Sequence, residues 1–167
     1  MCPDSKNLWD SLRFCHAVCK FDNTFVHVIS FYGFTNAGRD PQQRTKNEAL
    51  LSCMFRFLAT LGNVPIIILG DFNASAEQSP IISATLGSGE YCDLGSALCD
   101  SAPLPTCFAQ KDSPGTRIDM ALCNRAIMPS CKRFEVFQDS GLPVHRPILA
   151  HLELSECNQS GRAFRVP

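Results

Sequence analysis

The segment Val64-Pro65-Ile66-Ile67-Ile68-Leu69-Gly70-Asp71-Phe72-Asn73 constrains the fold more than any other stretch of the chain. A run of β-branched and aliphatic residues such as Pro65 to Leu69 suits a strand buried on both faces. Gly70 then lets the backbone turn, so that Asp71 and Asn73 emerge at the strand's carboxyl end. Side chains two positions apart share a face there. An acid and an amide at the mouth of a buried strand are costly unless they are paired or used. A catalytic or metal-associated site is the reading that follows.

The segments around this strand supply layers to cover it. Leu12 to Lys20 and Thr24 to Tyr32 read as two strands joined in a tight hairpin at Phe21-Asp22-Asn23. The chain leaves the second strand through a polar loop, Tyr32 to Gly38. Asp40-Pro41 has the form of an N-cap followed by a first-turn proline. The helix it opens is expected to run to about Leu61, with Leu50, Leu51, Met54, Phe55, Leu58 and Leu61 along one stripe, and Gly62 is placed to end it. After Asn73 the chain reads as loop-rich, with short strands expected around residues 106–109, 117–123, 134–137 and 147–154. Residues 1–11 form a polar amino-terminal segment, 12–154 the domain, and 155–167 a loose polar tail. Strand, helix, strand and then several short strands imply an α/β layered fold.

Composition narrows the function classes. With 167 residues, 45% hydrophobic and 19% charged, the chain can bury a core of its own. A formal net charge of −1 argues against an extended basic groove. None of the ten cysteines forms a C-x-x-C pair, and Cys15-His16-Ala17-Val18-Cys19 lacks a second half-site, so it reads as one strand edge rather than a zinc site. Met1 to Asp10 has no apolar core of signal-peptide type, and no apolar run is long enough to cross a bilayer. The expectation is an intracellular protein with reduced thiols and no membrane partner. On that expectation the sequons at Asn73 and Asn158 carry no glycan.

Polar elements recur where strands end: Tyr32, then Asp71 with Asn73, then Arg117-Ile118-Asp119, then His145. Each has a bland explanation on its own. Tyr32 suits a strand-end aromatic, Asp71 and Asn73 a turn, Asp119 a pair with Arg117, and His145 a turn between prolines. As an ordered set they suit hydrolysis of a phosphate ester. An aspartate can orient or deprotonate water, and a histidine held by a second carboxylate can stabilise or protonate the phosphate. Asn73 and Tyr32 add hydrogen bonds. Carboxylates with few nitrogen or sulfur ligands favour magnesium over zinc.

Gly70-Asp71-Phe72-Asn73, with the upstream Tyr32-x-x-x-Asn36-Ala37-Gly38, resembles the endonuclease/exonuclease/phosphatase, or DNase I-like, superfamily. Pro105-Thr106-Cys107-Phe108, Gly115-Thr116-Arg117-Ile118-Asp119 and Val144-His145-Arg146-Pro147-Ile148 follow in the family's order. The resemblance runs from about Arg13 to Leu154 and is nearest to abasic-site and non-LTR retrotransposon endonucleases. It implies a DNase I-like layered α/β sandwich, of which this chain would hold the carboxyl-terminal half to two-thirds. By position it implies that Asp71 and Asn73 handle the nucleophilic water and that His145 contacts the scissile phosphate, oriented by Asp119. Tyr32, Asn36 and Arg117 fall on the phosphate or substrate side. Mg2+ or Mn2+ is the implied cofactor, its ligands left open, and a nucleic acid is favoured over an inositol phosphate as substrate.

The sequence departs from the family pattern at two places. The closing Ser-Asp-His motif reads Pro143-Val144-His145 here, and valine offers no side-chain acceptor; Asp139 is the nearest upstream acid. The family's early strands supply an asparagine and a metal-binding glutamate, which neither Asp10 nor Glu48 matches by position. Loss of those strands would also leave an apolar sheet edge unpaired. Two alternatives to a divalent-metal phosphodiesterase share the pattern: an inactive truncated remnant or retroelement fragment, and a non-enzymatic interaction module on the same half-fold.

Overall fold

The computed structural model describes residues 8–21, 23–99, 102–109, 113–138 and 141–154. Its elements are β1 (Phe14–Phe21), β2 (Thr24–Tyr32), α1 (Pro41–Ala59), β3 (Ile66–Asp71), α2 (Pro80–Gly87), β4 (Tyr91–Asp93), α3 (Leu94–Leu98), β5 (Asp119–Asn124), a 3-10 turn at Met128–Ser130, β6 (Cys131–Val136) and β7 (Ile148–Leu152).

The isoleucine strand β3 is central. Five strands form one sheet in the order β1-β2-β3-β5-β4, with β2 and β3 parallel and the other neighbours antiparallel. A parallel pair needs a long crossover, and α1 supplies it. Asp40 caps α1, its carboxylate accepting from the Gln42 and Gln43 amides at 2.7 and 3.2 Å, with Pro41 in the first turn. Leu50, Leu51, Met54 and Leu58 of α1 pack with Ile82 of α2 on Phe14, Ile29, Phe31, Ile68, Met120 and Leu122 of the sheet. The opposite face presents Val26, Ile67, Ala121 and Cys123 to Leu94, Ile127, Cys131 and Phe134. Here β6 and β7 pair antiparallel as a second sheet, two-stranded among the described residues. Ile66, Ile67 and Ile68 are buried because both faces of β3 are covered.

The edges are less protected. β1 closes one side of the larger sheet, and Val18, Phe21 and Phe25 of this hairpin stay about half exposed. Ile148, Ala150 and Leu152 of β7 are only partly buried. Among the described residues β1 is thus an outer strand that carries exposed apolar side chains.

Several expectations need correction. The stretch after Asn73 is not mainly loop: Ser79 caps α2 by accepting from Ile82 N at 3.2 Å, and β4 and α3 follow. Ser79-Pro80 carries the cap-and-proline signal, which the Gly-Ser-Gly at 87–89 obscured. Residues 106–109 make isolated bridges rather than a strand, Cys107 pairing with Thr116 and with His145. Cys15 and Cys19 lie on the opposite face of β1 from His16, whose Nε2 meets His27 Nδ1 at 2.9 Å. Residues 1–7 and 155–167, covering most of the expected polar segment and tail, lie outside the described residues. No described helix is long and apolar enough to cross a membrane, and the eight described cysteines are free.

Candidate active site

Register places three site residues side by side. Tyr32 pairs with Asp71 across β2 and β3, and Asp71 pairs with Asp119 across β3 and β5. Paired residues project from the same face, so strand pairing alone gathers side chains that are far apart in sequence. Close approach of β2 makes glycine necessary at position 70, where a Cβ would run into the Phe31 carbonyl. Asn47, fully buried on α1, fixes the loops beyond these strands. Its Oδ1 accepts from Phe34 N at 2.9 Å and its Nδ2 donates to the Phe72 carbonyl at 3.1 Å.

His145 reaches the row from the loop before β7, and residues 106–108 stitch it there. The Cys107 bridges join the Thr116 and His145 segments, Phe108 N donates to Val144 O at 2.9 Å, and Arg146 N donates to Thr106 O at 2.7 Å. The buried Thr106 hydroxyl oxygen accepts from Ile118 N and Asp119 N at 3.2 and 2.9 Å. One short segment thus positions both Asp119 and His145.

The two meet closely. His145 Nδ1 lies 3.0 Å from Asp119 Oδ2 and 3.2 Å from Oδ1. A carboxylate only accepts, so Nδ1 carries the proton of this contact. Nε2 then faces Asp71 Oδ2 at 3.9 Å and the Cys107 sulfur at 4.0 Å. Burial raises the Asp71 carboxyl above the ordinary aspartate range. The neighbouring Asp119 charge adds to the rise, while the bond from Asn73 N and the His145 charge oppose it. Burial and the same two carboxylates push the Cys107 thiol up.

Asn73 sits in a left-handed conformation, φ 52°, which lets its amide turn back to Asp71 Oδ1 at 2.8 Å. Its side-chain Nδ2 donates to Gly33 O at 3.2 Å. Asn36, also left-handed at φ 65°, is exposed and lines a cleft of about 240 Å³ together with Asn73, Cys107 and His145. Tyr32 is 49% exposed at the end of the row. A larger hollow of about 380 Å³, lined by Leu58, Ile66, Tyr91 and Asn124 among others, lies at the other end of β3 and holds none of these residues.

Arg117 is placed differently from the expectation. Both its terminal nitrogens bind Asp93, Nη1 to Oδ2 at 2.6 Å, and it lines neither cleft that touches His145. Asp119 accordingly pairs with His145 and not with Arg117. Asp93 also caps α3, so this ion pair ties β4 and α3 to the approach of β5. Glu48 is likewise committed elsewhere, accepting from Ile81 N at 3.0 Å at the start of α2. Val144 contributes its carbonyl rather than its side chain, and Asp139 lies outside the described residues. Asn47 had no signal in the sequence, because its importance lies in being buried against particular backbone groups; Thr106 stands in one of the motifs that carry the resemblance, with no role assigned to it there.

Asp71, Asp119 and His145 each offer a ligand atom within 4.8 Å of the others, and they form the one such group among the described residues. Two carboxylates with an imidazole fit a divalent cation, and a cation would offset the burial of Asp71 beside a second acid.

The fold is similar to the DNase I-like layered α/β sandwich of solved endonuclease/exonuclease/phosphatase structures. The endonuclease domain of TRAS1, a telomere-specific non-LTR retrotransposon, matches with a TM-score of 0.67 at 16% identity, over 86% of this chain and 65% of that one. The 3'-5' exonuclease NExo from Neisseria meningitidis matches at 0.64 and 16%, over 84% and 70%. The catalytic domain of Xenopus laevis APE2 matches at 0.65 and 19%, over 88% and 58%. The chain therefore spans a little under two-thirds of the TRAS1 domain's length. No protein-family model matches the sequence, and no curated protein matches it in sequence.

Proposed function

We propose that the chain carries the phosphate-handling part of a divalent-metal phosphodiesterase acting on nucleic acid. The observation that carries this reading is His145 set between two acids, Nδ1 on Asp119 at 3.0 Å and Nε2 toward Asp71 at 3.9 Å, beside a cleft that Asn73 lines. Asp119 holds the imidazole with Nε2 outward, where it can donate to a phosphate oxygen once charged. Asp71, its pKa raised by burial, accepts a proton from water more readily than an ordinary aspartate. Asn73 holds the Asp71 carboxylate through its backbone amide. Tyr32 and Asn36, exposed at the mouth, are the residues left to meet substrate oxygens. Mg2+ or Mn2+ held by the Asp71 and Asp119 carboxylates would neutralise charge building on the phosphate. Arg117 has no part in this reading, because Asp93 engages it.

Likeness to a retroelement endonuclease, an exonuclease and the APE2 catalytic domain supports nucleic acid over inositol phosphate as the substrate class. The experiment is hydrolysis by the purified chain with Mg2+ or Mn2+, using abasic DNA, nicked DNA and an inositol phosphate. Cleavage of DNA that Asp71→Ala and His145→Ala abolish is the expected result. No hydrolysis of any substrate, or a wild-type rate from Asp71→Ala, sinks the enzyme reading and leaves the inactive remnant.

A further inference from the structure

Sulfur gathers at the joint between the two sheets, away from the Asp71 cluster. Cys123 lies on β5, Cys131 opens β6, and Met128 stands in the 3-10 turn between them. Both cysteines are almost fully buried, whereas Met128 is only partly covered. The Cys123 sulfur lies 3.4 Å from Met128 Sδ and also shares a hydrogen bond with the Cys131 sulfur. That second contact, with burial added to it, pushes the Cys123 thiol up, while the same bond draws the Cys131 thiol down. Cys131 Sγ lies 3.6 Å from Ile127 O.

A single buried cysteine packs as a small apolar group. Here two thiols and a thioether converge from one short stretch of chain, and a polar atom of the same turn is stranded. The fully buried Ser130 hydroxyl has no hydrogen-bond partner among the described residues, a condition that an ion or water at the spot would explain. Thiolate and thioether are soft donors that select Cu(I), zinc or iron–sulfur clusters. Structural zinc and the clusters take four ligands. Apart from Asp71, Asp119 and His145, no three His, Cys, Asp or Glu side chains converge among the described residues, so nothing completes a tetrahedral set here. Even Cys92, the cross-strand partner of Cys123, stays outside. Cu(I) is satisfied by two or three sulfurs. With metal–sulfur bonds of about 2.3 Å, three sulfurs round one ion stand about 4 Å apart, so the 3.4 Å between Cys123 and Met128 opens only slightly to admit it.

We propose that Cys123, Met128 and Cys131 form a site for Cu(I), held by the two buried thiols and reached through the partly exposed Met128. Cu+ binds as both thiols release their protons to solvent, and the thioether adds a neutral third bond. Lys132, next to Cys131, favours the anion that results. The ion ties β5 to β6 across the turn between the sheets. This site is independent of the phosphodiesterase reading. The test is anaerobic transfer of Cu(I) to the full, reduced chain from its bathocuproine disulfonate complex, followed by X-ray absorption at the copper edge. Wild type, Cys131→Ser, Met128→Leu and a Cys15→Ser, Cys19→Ser control are compared, with melting curves confirming that each is folded.

Wild type is expected to take up a first equivalent of Cu(I) bound by sulfur alone. Loss of groups that merely orient a ligand costs about 10–100-fold in metal affinity, so loss of a ligand itself should cost at least as much. Cys131→Ser should therefore lose the first equivalent to the chelator. Met128→Leu, which conserves core volume, should weaken it at least about tenfold and show one sulfur fewer. The Cys15→Ser, Cys19→Ser control should bind as wild type does. Should Cys131→Ser not fold, Met128→Leu decides alone. Wild-type affinity in Met128→Leu, nitrogen or oxygen around the first equivalent, or a loss seen only in the Cys15→Ser, Cys19→Ser control overturns the site. So does a Cys123–Cys131 disulfide recovered from a chain that has taken up no copper.

Discussion

Asp71 and Asp119 are direct cross-strand partners on β3 and β5, each with a side chain only 15% exposed, and both carboxylates are turned to the same imidazole. Like charges directly opposite in a sheet are unfavourable. The arrangement stores electrostatic strain that His145 relieves in part and a bound cation would relieve further.

Asp71 should therefore cost stability when ionised. Its folded pKa lies above the ordinary aspartate value. Between the unfolded and folded values the native state binds more protons than the unfolded chain, so stability falls as pH rises through that window. Asp71→Asn, which keeps an oxygen for the Asn73 amide, should melt above wild type at pH 7 in EDTA. The gain should shrink on acidification and vanish below the ordinary aspartate range. Thermal melts across pH measure this, and a gain independent of pH would remove the electrostatic explanation.

Thr106→Val should destabilise the fold by about 2–3 kcal/mol, because it leaves the Ile118 and Asp119 amides without their acceptor at nearly constant volume. Thr106→Ser, which keeps the hydroxyl, should cost much less. Urea denaturation midpoints separate the two. Equal losses would show that the methyl group matters and the hydroxyl does not.

Arg117→Met should cost about 3–5 kcal/mol, since it strands Asp93 with a side chain only 5% exposed. The Asp93→Asn, Arg117→Met double variant should lose less than the sum of the single losses, by roughly 1–3 kcal/mol. Additive losses in a double-mutant cycle would mean that the pair does not act as a unit.

How far the sequence could be read differs from element to element. The isoleucine run of β3 and the Asp40-Pro41 cap were legible because hydrophobic continuity and helix capping are local. Glycine 62, with φ 74°, stands just past the end of α1 for the same reason. The short α2, β4 and α3 were not legible, since eight residues or fewer carry too little periodicity. Arg117 was read toward the substrate from its neighbours in sequence. Its partner Asp93 lies on another strand, and no local pattern announces such a pairing.

The sequence by itself determined the buried strand, the polar residues at its mouth and the likeness to one superfamily, because those depend on residue types at short spacing. Only the tertiary structure decided which of those residues meet. Register across β2, β3 and β5 set Tyr32, Asp71 and Asp119 in one row, and the Cys107 bridges brought His145 over it. The physical reason is that backbone pairing, shared by every strand whatever its side chains, converts separations of tens of residues into neighbouring positions on one face.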